Sequence, residues 1–458
     1  MKSFWHTKDL SFTFKDISFR RFFQIMFPRN SIFIYIILII LFIAPFFFQK
    51  WRPGPVLLFA TSGDEPHYLL MAYSIAKDHD LRLKNNYKNR DYGQMLKKYL
   101  LDHHTYLKSD SKVIPWEDVF KISTNERGEQ TRILREEYQN LNLDDYIEIP
   151  LHPPGYSILL GTLFYPIFRF DFYAAESIVL FFQLLLFFSS GIYAWKIFGN
   201  KRRLLFFILL LSSPVWVLNG TFYTEGIVGS LLLLSLCHIE RKAPFLLSID
   251  LFLLVFIKEI YIPAAVLLYL LFFIENQFKR SYLYFSLLPA SAVIIYLIKN
   301  YLFFGNPVQP YIPYKVNFQI LHTLFEILFS PYKGILTFTP HFIFLPAVLY
   351  TMFRQNRFRG TVIVLVTALI SGITIFHQSW SGGPSFSYRT LAPILFFIFP
   401  YFHSWIPENR VIRSIFTALL FISFANMFFA VTNLNSSYAS PPLINLIDFK
   451  ISRLYDRI

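Results

Sequence analysis

Hydrophobic residues along this chain fall into long blocks separated by short polar connections. A hydrocarbon layer about 30 Å thick takes roughly 20 helical residues, and fewer suffice inside a bundle. On that measure the first block, "SIFIYIILIILFIAPFFF" (31–48), predicts a membrane-crossing helix. Further spans are predicted at 174–198, 204–218, 222–237, 244–257, 260–274, 282–298, 335–353, 361–376, 391–405 and 412–431. The total is about eleven, so the expected fold class is all-α, a polytopic transmembrane helical bundle.

The connections carry a second pattern. The N-terminal segment, "KIFGNKRR" (196–203), "HIERK" (238–242), "ENQFKR" (275–280), "RQNRFR" (354–359) and "ENRVIR" (408–413) are basic, and they fall at alternate loops. Lysine and arginine accumulate on the cytoplasmic side of short loops, which places the N-terminus inside. The alternation holds only if "LHPPGYSILLGTLFYPIFRF" (151–170) does not cross, and its prolines suit a helix lying in the outer interface. The expected organisation is then a cytoplasmic basic interfacial segment (1–30) and a transmembrane module (31–298) that includes the outer loop 49–156. A second transmembrane module (299–432) and a short extracytoplasmic tail (433–458) complete it. The first block follows some thirty residues with no small-residue cleavage site, so it reads as an uncleaved anchor.

Composition agrees with the pattern. The chain has 458 residues, 54% hydrophobic and 16% charged, against roughly 25% charged in soluble domains. A net charge of +14 would suggest nucleic acid in a soluble protein. Here the basic residues flank apolar blocks, where they orient helices and meet anionic membrane lipids, so a nucleic-acid partner is set aside. The single cysteine, Cys237, excludes an intrachain disulfide and a cysteine-rich metal site. There is no phosphate-binding loop, dinucleotide fingerprint or nucleophile elbow.

The polar clusters that topology does not need lie on the outer side. "TSGDEPHYLLMAYSIAKDHD" (61–80) opens a helix at Asp64 and Glu65 and shows Tyr68, Leu69, Ala72, Tyr73 and Ala76 on one face. That face predicts a helix along the membrane surface. Asp64 has a plain explanation as an N-cap before a first-turn proline, with Glu65 suiting the helix dipole. Glu225 in "YTEGIVG" could serve its own helix N-terminus, Lys258–Glu259 could compensate each other in a turn, and His152 in "HPPGY" could be a solvated histidine. "DHH" (102–104) is the one place that resembles a metal cluster, but adjacent histidines in a charged loop are more often solvated than ligands, and no complementary set is spaced nearby. Arg389, opening a span at its outer end, runs against the inside bias for arginine and points to anion binding.

In order and spacing, these stretches resemble the GT-C membrane glycosyltransferases, in the branch of protein O-mannosyltransferases and aminoarabinose transferases to lipid A. "GDEPHYLL" is similar to that family's outer-loop Asp–Glu pair. "HPPGY" is similar to its His/Lys-Pro-Pro-Leu motif, with Gly155 in place of leucine. Glu225 and Lys258 fall at its later carboxylate and lysine, and "SPYKGILTFTP" and "WSGGPSFSYRTLAP" are similar to stretches in bacterial members. The likeness covers about residues 31–400. It implies a sugar on a polyprenyl phosphate as donor, transferred by direct displacement to an acceptor hydroxyl of a lipid, glycan or protein on the extracytoplasmic side of a bacterial inner membrane. Asp64 is the implied general base, with Glu65 and Glu225 completing the catalytic set. Arg389, Lys258, Lys333 and His152 are the implied contacts to the donor phosphate. No metal is required, although Asp64, Glu65 and Glu225 could hold a divalent cation. Two competing expectations are a transporter or flippase of a lipid-linked glycan and an O-antigen-type polymerase or ligase. The first lacks an internal repeat here, and the second usually carries its large loop late in the chain.

Overall fold

The computed structural model describes residues 64–91, 103–109, 112–124, 130–170, 172–199, 203–308, 319–331, 333–376 and 388–432. All lie in one compact unit, residues 53–458. The basic segment 1–30, the first predicted span 31–48 and the tail 433–458 lie outside the described residues, as do residues 309–318 and 377–387.

Pro66 sits in the first turn, where a missing backbone N–H costs nothing, and the helix Glu65–Lys77 (α1) begins there. The expected surface helix is instead enclosed. His67, Leu70, Met71 and Ser74, on the face expected to meet water, are buried along with the apolar face. The neighbours that cover it are Gly155–Leu163 (α2) and the short helix Tyr165–Phe170. At about 1.5 Å per residue, neither reaches across a 30 Å hydrocarbon layer.

Between α1 and α2 the long loop builds a small β-lobe, which corrects the all-α expectation to a mostly helical chain with few strands. Thr105–Lys108 (β1) lies between Val113–Pro115 (β2) and Ile147–Pro150 (β5), antiparallel to both. Phe120–Thr124 (β3) and Gln130–Leu134 (β4) form a separate hairpin. Leu107, Trp116 and Val119 give the lobe its own apolar core. Pairing of Thr105 with Pro150 closes the lobe at its base, beside α2.

The remaining long helices are Phe172–Phe198 (α3), Thr224–Glu240 (α4), Pro244–Ile257 (α5), Ile262–Glu275 (α6), Arg280–Phe304 (α7), Arg357–Phe376 (α8) and Arg410–Thr432 (α9). Among the described residues four helices, α3, α7, α8 and α9, are long and apolar enough to cross a membrane. The other predicted spans in the described residues are shorter or interrupted. The block 204–218 breaks before Pro214, and 391–405 divides into Ala392–Phe397 and Phe399–Ser404, with Pro400 in the second piece. The block 335–353 divides around a 3-10 segment, Pro340–Phe344. Proline removes a helical hydrogen bond and clashes with the carbonyl four residues back, so an apolar run containing one need not be a single helix.

α4 is apolar on nearly all sides and sits centrally, against α3, α5 and Ala392–Phe397. α7 is the opposite case. Leu283, Leu287, Ile294 and Ile298 are exposed along it, an outward apolar surface suited to lipid.

The two ends of α4 are chemically distinct and about 22 Å apart. At its C-terminal end Arg359 holds Glu275 by two hydrogen bonds, 2.8 Å from Nε and 2.7 Å from Nη2, and also holds Glu240. These residues belong to "RQNRFR", "ENQFKR" and "HIERK", so three of the basic connections meet at one end of the helix. Glu225 stands at the other end. Removing Arg359 leaves two partly buried carboxylates facing each other. We expect Arg359→Met to lower stability by about 1–3 kcal/mol, below the range for fully buried pairs, as a reduced thermal midpoint of the detergent-solubilised protein. Glu240→Gln, which leaves the two bonds to Glu275, should cost less.

Candidate functional site

Asp64 takes the N-cap position of α1 but makes no capping hydrogen bond with its side chain. The plain explanation for this carboxylate therefore does not describe it. Asp64 Oδ2 instead accepts from Arg389 Nη2 at 3.0 Å, across 325 positions of chain. Oδ1 lies 3.7 Å from His152 Nε2. The Asp64 side chain is 25% exposed and that of Arg389 only 8%.

Arg389 also faces a second acid. Its Nε is 3.6 Å from Glu225 Oε1, which accepts from Lys258 Nζ at 2.9 Å. The guanidinium lies over the Tyr223 ring, 4.1 Å from the centroid, where the π face favours a cation. Two of its nitrogens, Nε and Nη1, are buried with no hydrogen-bond partner among the described residues. Buried donors are paired in most proteins, and an unpaired one marks a place where a ligand or water is wanted. Lys333 stands within electrostatic reach of Arg389. Burial, then the arginine's charge, bring its ammonium down to about 8. The cluster so far holds three cations (Arg389, Lys258, Lys333) and two carboxylates (Asp64, Glu225), with the carboxylates of Glu65 and Glu259 next to them in the chain.

Burial alone would raise the Asp64 carboxyl, but Arg389, His152, His104 and Lys258 outweigh it and hold it well below the usual range. Asp64 is thus ionised at any physiological pH. His152 is lowered, chiefly by burial, and is uncharged at neutral pH.

Glu65 has a different position from its neighbour. It is fully buried and accepts from the backbone N–H of Phe222 at 2.8 Å. That bond fastens the start of α1 to the turn just before α4, and it sets Tyr223 and Glu225 opposite Asp64. Next to it, Thr224 Oγ1 donates to Glu225 Oε2 at 3.2 Å.

Gly155, which stands where the resembling motif has leucine, also has a local reason. A Cβ there would lie 1.7 Å from the Phe256 carbonyl oxygen. Only glycine lets the start of α2 press against the end of α5, one residue before Ile257 and two before Lys258. His152 and Lys258 are brought to one place by that contact.

The structure thus brings Asp64, His152, Glu225, Lys258 and Arg389 into one cluster, with Lys333 near it and Glu65 behind it. Sequence reasoning missed three residues. His104, read as solvated, donates to or accepts from His152 Nε2 through Nδ1 at 2.9 Å. His103 is buried in the lobe, on Glu148 Oε2 at 2.7 Å and stacked on Tyr87 and Trp116. Tyr223 lies directly before "TE" and could have been noted as an aromatic flank. The adjacent histidines of "DHH" are the local signal at His104, and a weak one, because its position follows from the pairing of β1 with β5. No protein-family model, curated protein or solved structure matches the chain.

The Lys333 shift has a testable sign. Its ammonium loses its proton near pH 8 in the fold and near the ordinary lysine value, about 10.4, in the unfolded chain. Between those limits the unfolded state binds more protons, so this residue makes stability rise with pH. The thermal midpoint of the wild type minus that of Lys333→Met should therefore increase from pH 8 to pH 10, read by thermal unfolding in detergent.

Proposed function

We propose that this protein is a polytopic membrane glycosyltransferase of GT-C type, with about eleven spans, moving a sugar from a polyprenyl-phosphate donor to an acceptor hydroxyl. The observation that carries the reading is the meeting of Asp64 and Glu225 on one buried arginine with N–H groups to spare. A phosphate is the ligand that such a guanidinium suits, because its planar donors match phosphate oxygens. The separation of this cluster from the basic connections, at opposite ends of α4, supports an extracytoplasmic active site by the positive-inside rule. The outward apolar surface of α7 supports a site reached from the bilayer.

In this reading the acceptor oxygen attacks the anomeric carbon. The bond from that carbon to the phosphate oxygen breaks, the electron pair leaves with polyprenyl phosphate, and the acceptor proton passes to Asp64. Beside Arg389 the Asp64 carboxylate is a weak base. Donor phosphate bound at Arg389 neutralises part of that pull and raises the proton affinity of Asp64 when the acceptor must be deprotonated. Arg389, Lys258 and Lys333 then stabilise the charge on the departing phosphate. Glu225 holds Lys258 and Arg389 in place, and Glu65 holds the segment that carries Glu225.

The test is incubation of the purified, reconstituted protein with labelled polyprenyl-phosphate sugars, followed by analysis of what becomes glycosylated. The expected result is sugar transfer that falls about 10²- to 10⁴-fold in Asp64→Asn while donor binding persists. Turnover near wild type in Asp64→Asn would remove it as the base. Movement of donor across the bilayer without transfer would make the protein a flippase.

A further inference from the structure

We infer that Asp64, His104 and His152 form a binding site for one divalent transition-metal ion of the zinc class. One ligand atom from each lies within 4.8 Å of the others. His104 Nδ1 is 2.9 Å from His152 Nε2, and the same Nε2 is 3.7 Å from Asp64 Oδ1. Tetrahedral ligands held 2.0–2.1 Å from zinc are about 3.3 Å apart, midway between those two separations. The third pair, His104 and Asp64, lies within 4.8 Å, so side-chain shifts of up to about 1.5 Å close the three atoms on one ion.

The backbone prepares this arrangement. β1 and β5 pair Thr105 with Pro150, and Leu151 N–H donates to the His104 carbonyl at 2.9 Å. The histidines just outside those strands, His104 before β1 and His152 after β5, are thereby neighbours at the base of the lobe. Extended backbone alternates its side chains. His103 accordingly turns into the lobe while His104 turns towards α1. The His104 ring is backed by the His67 ring, stacked at 3.8 Å, and His67 Nδ1 is fixed by the Tyr87 hydroxyl at 2.8 Å. The His152 ring lies against Tyr68, 5.3 Å between centroids. Ligand orientation is thus set by groups behind the ligands, as in built metal sites.

Two imidazoles and a carboxylate select the metal class. Imidazole suits zinc and its first-row neighbours, whereas magnesium and calcium prefer all-oxygen sets. Three protein ligands leave a position for a solvent or substrate oxygen, the pattern of reactive zinc sites. Asp64 divides its oxygens, with Oδ2 on Arg389 and Oδ1 towards the histidines, so the ion and the arginine can be held together. The site rests on this geometry and not on the transferase reading; while the ion is bound, Asp64 is its ligand and does not serve as the proton acceptor.

The alternative is a proton-sharing chain, Asp64, His152 and His104, with no ion. To separate the two, the full-length protein is stripped with chelator, equilibrated with zinc chloride in excess magnesium, desalted and analysed for metal. One zinc per chain is expected, lost in His104→Ala and His152→Ala, and kept in His322→Ala, whose histidine is exposed. His104→Gln, checked for monodispersity by gel filtration, covers failure of the alanine variant to fold. Cobalt(II) titration supplies a second readout, with visible d–d bands in the wild type that His104→Gln abolishes. Substoichiometric zinc in the wild type, or equal zinc in folded His104→Gln, would overturn the assignment. These readings stand whether or not sugar is transferred, so failure of the metal site and failure of the transferase reading can be told apart.

Discussion

A buried guanidinium is the constraint from which the rest of this structure follows. Removing Arg389 from water costs several kcal/mol unless acids and an aromatic face replace its hydration. The replacements come from distant places: Asp64 opens α1, and Tyr223 and Glu225 open α4. Each must be held where the arginine needs it. Glu65 ties the α1 start to Phe222, Gly155 lets α2 close on α5, and Lys258 at the α5 end meets Glu225. Contacts that look like unrelated packing details are the means by which one charge is kept inside.

The opposite end of α4 shows an ion cluster whose donors are taken up. Arg359 has Glu240 and Glu275, and its donors are directed at them. Each of its three guanidinium nitrogens donates to a carboxylate. At the Arg389 end two buried guanidinium nitrogens, Nε and Nη1, make no hydrogen bond among the described residues. One helix therefore separates a closed electrostatic clamp from an open one. Hydrogen-bond completion, more than charge, distinguishes the two ends.

Much of this was legible in the sequence. The apolar blocks located α3, α7, α8 and α9, and the odd placement of an arginine among residues expected on the outer side singled out Arg389. Asp64, Glu225 and Lys258 stood out because charged residues at apolar span ends are costly without a reason. What the residues could not say was how blocks divide. A block containing Pro214, Pro340 or Pro400 reads the same in hydropathy whether it is one helix or two. The β-lobe was illegible for another reason: its pairing joins residues some forty positions apart, across a charged stretch with weak strand signals. His104 was misread with it, since only the β1–β5 register brings that ring to His152. Glu65 was legible as important, but its backbone partner, 157 residues away, was not.

The claim on which the account rests is that Arg389 is an anion receptor held ready by two carboxylates. Equilibrium binding of sugar-free polyprenyl phosphate to the reconstituted protein tests it most directly. The account predicts saturable binding that weakens roughly 10- to 100-fold in Arg389→Ala, the loss expected for hydrogen bonds to a charged group. Equal affinity in wild type and a folded Arg389→Ala variant would contradict it.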